Sequence, residues 1–132
     1  METKKLVLII EDNEDFQNLY GLVAEQAGYD IERIYDGGEA LERLERDPLP
    51  TLVLLDSRLP SAEGDEILAA ARSKEKWLHV PIYMLTADIR ISKKYQDFSA
   101  SVPHPDGVIE KGAEAIHQLR DLFKQYLGKT DA

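Results

Sequence analysis

The 132-residue chain predicts a doubly wound α/β domain built on a five-stranded parallel sheet, and three observations carry that prediction. Five short apolar segments recur along the sequence, helical patterns fill the gaps between them, and two of the segments are nearly continuous apolar runs. Strands covered on both faces by crossover helices read as continuous apolar runs, whereas half-solvated antiparallel strands alternate. Strands alternating with helices imply right-handed crossovers between parallel neighbours.

The first strand is Lys5 to Ile10. After it Phe16, Leu19, Tyr20, Val23 and Ala27 fall at helical spacing, with Asp12 or Asn13 suited to the N-cap and Gly28 to the C-terminal cap. The second strand is Ile31 to Tyr35, and Ala40, Leu41 and Leu44 mark the second helix. Leu52 to Leu55 is the third strand, the most hydrophobic one, followed by a helix through Ile67, Leu68 and Ala71. Pro81 to Thr86 is the fourth. Ile91, Tyr95 and Phe98 suit a fourth helix, which must stop before Val102-Pro103-His104-Pro105 because proline lacks the amide and clashes with the preceding turn. Gly107 to Ile109 is the fifth strand, and Ile116, Leu119, Phe123 and Tyr126 line the last helix. Pro48, Pro50 and Pro60 punctuate loops.

The length suits one domain, taken over residues 1–132, with a real hydrophobic core. No apolar run approaches the roughly 20 residues that span a bilayer, no secretory signal is visible, and the absence of cysteine excludes disulfides and thiolate metal sites. A cytoplasmic location is the default expectation. Sixteen basic against twenty-five acidic residues give a net charge of −9, which argues against direct binding to nucleic acid or to an anionic membrane. A protein partner or a small cation fits better.

In a doubly wound sheet, ligands sit beyond the carboxyl ends of the strands. The polar residues ending these strands are Glu11 and Asp12, then Asp56, Thr86 and Lys111. Adjacent carboxylates repel and are costly to desolvate, so they require a proton or a cation. Three carboxylates at one edge form a hard oxygen cluster of the kind that binds Mg²⁺. Asp56, ending LVLLD, is a candidate nucleophile; Lys111 supplies a compact positive charge and Thr86 a hydroxyl donor. Together they describe a phosphoryl site, where positioning and electrostatics are nearly the whole catalytic task. Singly, each has a plainer reading: strand-end or cap acids, a surface lysine, a strand-end threonine. His79, His104 and His117 lack metal-ligand spacing, and Tyr20, Phe123 and Tyr126 read as packing.

The pieces IIEDNED, YDGGEAL, LVLLDSRLPSAEG, PIYMLTA and VIEKG, in that order across essentially the whole chain, resemble the receiver domain of bacterial two-component response regulators. The resemblance implies a flavodoxin-like sheet of order 2-1-3-4-5 with about five helices. It implies that Asp56 accepts a phosphoryl group from a sensor histidine kinase or a phosphotransfer protein in a phosphorelay. Mg²⁺ would be held by Glu11, Asp12, Asp56 and the main-chain carbonyl of Arg58, with Thr86 and Lys111 on the phosphoryl group. The domain would be a switch that assists its own phosphorylation and dephosphorylation, not an enzyme acting on a separate substrate, and would signal to a downstream protein target. A homodimer through the last helices is left open. The few residues after Tyr126 hold no DNA-binding output domain, so either a stand-alone receiver or one domain cut from a larger protein is expected.

Three features depart from that family's pattern. Gly112 follows Lys111 where proline is usual, Val108 occupies the place of the switch aromatic, and the stretch between Thr86 and Lys111 is longer, the excess falling at Val102 to Asp106. The first bears on the geometry of Lys111 and the other two fall on the usual output face, so the phosphorylation chemistry is a firmer expectation than the conformational response. Tyr95 and Phe98 are alternative aromatics there, packing being the simpler role. The resemblance implies that Arg58 and Asp88 flank the path of the hydrolytic water, and their pairing would lengthen the life of the aspartyl phosphate. Of the rival readings, an aspartate-nucleophile phosphohydrolase would need an acid where Arg58 stands. A degenerate receiver acting as a phosphorylation-independent adaptor is the better alternative.

Overall fold

The computed structural model describes residues 5–96 and 103–128. Five strands, β1 (Leu6–Ile10), β2 (Asp30–Ile34), β3 (Leu52–Asp56), β4 (Ile82–Thr86) and β5 (Gly107–Glu110), form one sheet in the order β2-β1-β3-β4-β5, parallel throughout. The helices are α1 (Glu14–Gln26), α2 (Gly37–Arg43), α3 (Gly64–Arg72), α4 (Ile89–Gln96) and α5 (Ala115–Leu127), with a 3₁₀ turn at Glu75–Trp77. This is the flavodoxin-like arrangement expected from the sequence.

Alternation along the central strands explains their unbroken apolarity. Leu8, Ile10, Val53 and Leu55 face one side, packing with Ile67, Leu68, Trp77 and Tyr95. Val7, Ile9, Leu52 and Leu54 face the other, packing with Tyr20, Val23, Leu119 and Phe123. Both faces of β1 and β3 are therefore dry, and a polar residue is tolerated only where each strand runs out at its carboxyl end.

Helix termini follow local chemistry. The Asn13 side chain accepts a hydrogen bond from the Phe16 amide at 3.0 Å, so Asn13, rather than Asp12, caps α1. Gly28, at φ 100°, supplies the left-handed residue just beyond that helix. Asp36, which the sequence reading passed over, caps α2 by accepting from the Glu39 amide at 3.0 Å and also accepts from the Ser61 hydroxyl at 2.8 Å.

Of the long stretch before β5, the described part is tied down. The Asp106 amide donates to the Ile82 carbonyl at 2.7 Å, and its carboxylate accepts from the Ile82 amide at 2.7 Å and from Arg72 at 2.8 Å. Ile91 and Tyr95 of α4 pack inward, whereas Phe98 and Val102 lie outside the described residues. His79 and His117 are exposed, and His104 sits edge-on to Tyr95. Among the described residues no helix is long and apolar enough to cross a membrane.

Candidate functional site

Glu11, Asp56, Thr86 and Lys111 each stand at or just after the last residue of β1, β3, β4 and β5, so the sheet itself gathers them. One carboxylate oxygen from each of Glu11, Asp12 and Asp56 lies within 4.8 Å of the others. Glu11 is fully buried and Asp56 nearly so, while Asp12 faces solvent. Asp12 and Asp56, with Arg58, Thr86, Asp88 and Lys111, line an open cleft of about 540 Å³.

Lys111 is the cation nearest these acids. Its ammonium lies 2.6 Å from Glu11 Oε1 and 3.4 Å from Asp56 Oδ1, and its own amide donates to the Thr86 carbonyl at 2.8 Å. Burial pushes the Glu11 carboxyl up to about 8, and the neighbouring Asp56 pushes the same way against the pull of Lys111. The Glu11 backbone is held by Gln17 on α1. The Gln17 amide nitrogen lies 2.9 Å from the Ile9 carbonyl, 3.0 Å from that of Glu11 and 2.9 Å from that of Ile34, and the whole side chain is buried. Gln17 escaped the sequence reading, although a signal existed: it is a polar residue three positions before Tyr20, on the stripe that faces the sheet.

Behind Asp56 the chain turns sharply. A Cβ on Gly64 would lie 2.5 Å from the Asp56 carbonyl oxygen and 2.9 Å from the Ser57 Cα, so only glycine lets α3 begin this close to the end of β3. Thr86 is fully buried; its hydroxyl accepts from the Asp88 amide at 2.9 Å and pairs with the Ser57 hydroxyl at 3.0 Å.

At the mouth of the cleft Asp88 has two guanidinium partners. Arg90 binds it at 2.9 and 3.1 Å through its side chain and at 2.9 Å through its amide, and Arg58 lies 3.2 Å away. Arg90, with Arg58 adding to it, holds the Asp88 carboxyl well below the usual carboxylate range. Arg90 was not anticipated, because its place beside Asp88 depends on how α4 starts. Val108 is half-buried against the core face that also contains Tyr95, whose hydroxyl donates to Asp65 on α3.

Comparison with known proteins gives the family and the fold. Residues 7–119 match the response regulator receiver domain, and the chain belongs to that family. It is 35% identical over 128 residues to the DNA-binding dual master transcriptional regulator RpaA of Synechocystis sp. PCC 6803, covering 95% of this chain but 50% of that protein. It is also 37% identical over 83 residues to the polar-differentiation response regulator DivK of Brucella ovis, covering 63% of this chain and 67% of that one. The chain thus spans half the length of the first of these relatives. Among solved structures, the receiver domain of the sensor histidine kinase PA1611 of Pseudomonas aeruginosa superposes with a TM-score of 0.80 at 23% identity, covering 96% of this chain and all (100%) of that one. That structure has a magnesium ion coordinated in its active-site cleft. Receiver domains are phosphoacceptor switches that interact with histidine kinases and downstream targets.

Proposed function

We propose that this chain is a phosphorylation-controlled receiver in which Asp56 is the phosphoacceptor. The observation that carries the reading is the nearly buried Asp56 carboxylate at the end of β3, within 3.4 Å of the Lys111 ammonium and within 4.8 Å of carboxylate oxygens of Glu11 and Asp12. Three hard oxygen donors gathered this closely, two of them buried, fit a divalent cation such as Mg²⁺; Glu11, Asp12, Asp56 and the Arg58 carbonyl would hold it. When bound, the cation supplies positive charge that offsets the charge of the phosphoryl oxygens.

The residues then have distinct tasks. An Asp56 oxygen attacks the phosphorus of a phosphohistidine, forming an O–P bond as the N–P bond breaks, and the bonding pair returns to the imidazole nitrogen. Lys111 balances the charge on the transferred group and the Thr86 hydroxyl donates to one of its oxygens. Gln17 holds the backbone of Glu11 while this happens. The phosphodonor is a histidine kinase or phosphotransfer protein, the output is a protein contact, and the setting is cytoplasmic. The test is intact mass after incubation with acetyl phosphate and Mg²⁺: one phosphoryl adduct on the wild type and none on Asp56→Asn. A second reading, a phosphorylation-independent adaptor, draws on Val108 and Gly112; a wild type that binds Mg²⁺ yet takes up no phosphoryl group would favour it.

The pair formed by Arg58 and Asp88 sets the lifetime of the acyl phosphate by restricting the approach of water. Arg58→Ala is expected to speed autodephosphorylation roughly threefold, an effect the size of an exposed ion pair. The effect is small because Arg90 keeps its hold on Asp88. Loss of phosphate followed by mass after donor removal checks this, and an unchanged rate refutes it.

A further inference from the structure

We propose that Phe16 is a positioning residue for the phosphoryl chemistry, holding the Lys111 ammonium in the cleft with the face of its ring. The inference rests on Asp56 being the phosphoacceptor. The ammonium nitrogen lies 4.4 Å from the ring centroid, well inside the roughly 6 Å over which an aromatic face attracts a cation.

The Lys111 side chain needs such a support because its own loop gives it none. Its backbone is fixed by the bond to the Thr86 carbonyl, but Gly112, Ala113 and Glu114 are exposed, and a Cβ on Gly112 would find nothing within 4 Å. What holds the ammonium comes from other elements: Glu11 after β1, Asp56 on β3 and Phe16 on α1. Under the proposed function the oxygens of Glu11 and Asp56 are committed to a cation and to the phosphoryl group. The ring is then the contact that nothing else in the site competes for. Being neutral, it attracts the ammonium without adding a fourth negative charge to Glu11, Asp12 and Asp56.

The ring is itself well placed. The Asn13 cap on the Phe16 amide fixes the first turn of α1, and one turn later the buried Tyr20 stacks on Phe16 with ring centroids 5.6 Å apart and planes 18° from parallel. The sequence reading placed Phe16 among the packing residues of α1, since its partner lies far along the chain.

The experiment measures the rate of phosphorylation by acetyl phosphate at saturating Mg²⁺. Using no kinase, it does not read any docking of a partner on α1. Phe16→Leu is expected to lower the rate about tenfold while Mg²⁺ affinity stays within about twofold of wild type. Phe16→Tyr, which keeps the aromatic face, restores most of the rate. In a Lys111→Met background Phe16→Leu costs nothing further, because the ring acts through the ammonium. Equal rates for Phe16→Leu and wild type, failure of Phe16→Tyr to restore the rate, or the same loss in both backgrounds overturns the assignment and leaves the phosphoacceptor reading standing. A wild type that takes up no phosphoryl group overturns both.

Discussion

Replacing Glu11 by glutamine is expected to raise the melting temperature of the metal-free protein by roughly 3–6 °C and to abolish the further rise that Mg²⁺ gives the wild type. Glu11 is fully buried and shares its surroundings with Asp56. Folding therefore favours its neutral form: burial first, then Asp56, moves the carboxyl from 4.5 to about 8. A folded-state value above the unfolded one contributes stability that is fully present below about 4.5 and is lost as pH rises through about 8. The wild type without metal should thus become less stable between pH 5 and pH 8 relative to Glu11→Gln. The opposing term is the 2.6 Å pair with Lys111, which the substitution removes. Lys111 keeps Asp56 and the Phe16 ring, so the loss of like-charge repulsion and of a buried charge outweighs it. Thermal melts in EDTA and in Mg²⁺ across that range check the account, and a lower melting temperature for the variant at pH 8 contradicts it.

Trp77→Ala is expected to cost about 3–5 kcal/mol, a large share of the roughly 5–15 kcal/mol that stabilises a domain of this size. Trp77 is 2% exposed in the core beneath α3, and its ring lies 5.7 Å from the Arg43 guanidinium. Arg43 is itself fully buried, donating to Glu32 at 2.8 Å, to the Arg46 carbonyl at 2.7 Å and to the Pro48 carbonyl at 2.6 Å. Truncating the indole opens a cavity and strips one face from that buried cation. The substitution lies away from the cleft, so the protein that remains folded should still take up one phosphoryl group. Urea unfolding measures the loss; a value under about 1.5 kcal/mol would mean that the site collapses around the smaller side chain.

Most of the fold was legible because burial on two faces writes itself into sequence as continuous apolar runs. The differences are single residues at strand ends: β2 starts at Asp30 because it pairs with Leu6, and β5 extends to Glu110 because it pairs with Thr86. The strand-end candidates were legible for the same reason, since each of Glu11, Asp56, Thr86 and Lys111 ends or follows an apolar run. What supports them was not. Gln17 bridges two strands to a helix, Phe16 meets Lys111 from the other end of the chain, and Arg90 reaches Asp88 across a helix start. Such contacts depend on which helix face meets which strand end, and periodicity alone does not fix that. The tie between Arg72 and Asp106 is similar: the extra residues before β5 read as an insertion, whereas Asp106, the last of them, bonds to Ile82 of β4.

The measurement that tests the central claim most directly is chemical trapping of the acyl phosphate. After phosphorylation by acetyl phosphate with Mg²⁺, borohydride reduces an aspartyl phosphate to homoserine, and peptide sequencing by mass locates it. The account predicts homoserine at position 56, dependent on the metal. Homoserine at position 12, or a phosphoryl adduct that yields none, would contradict it.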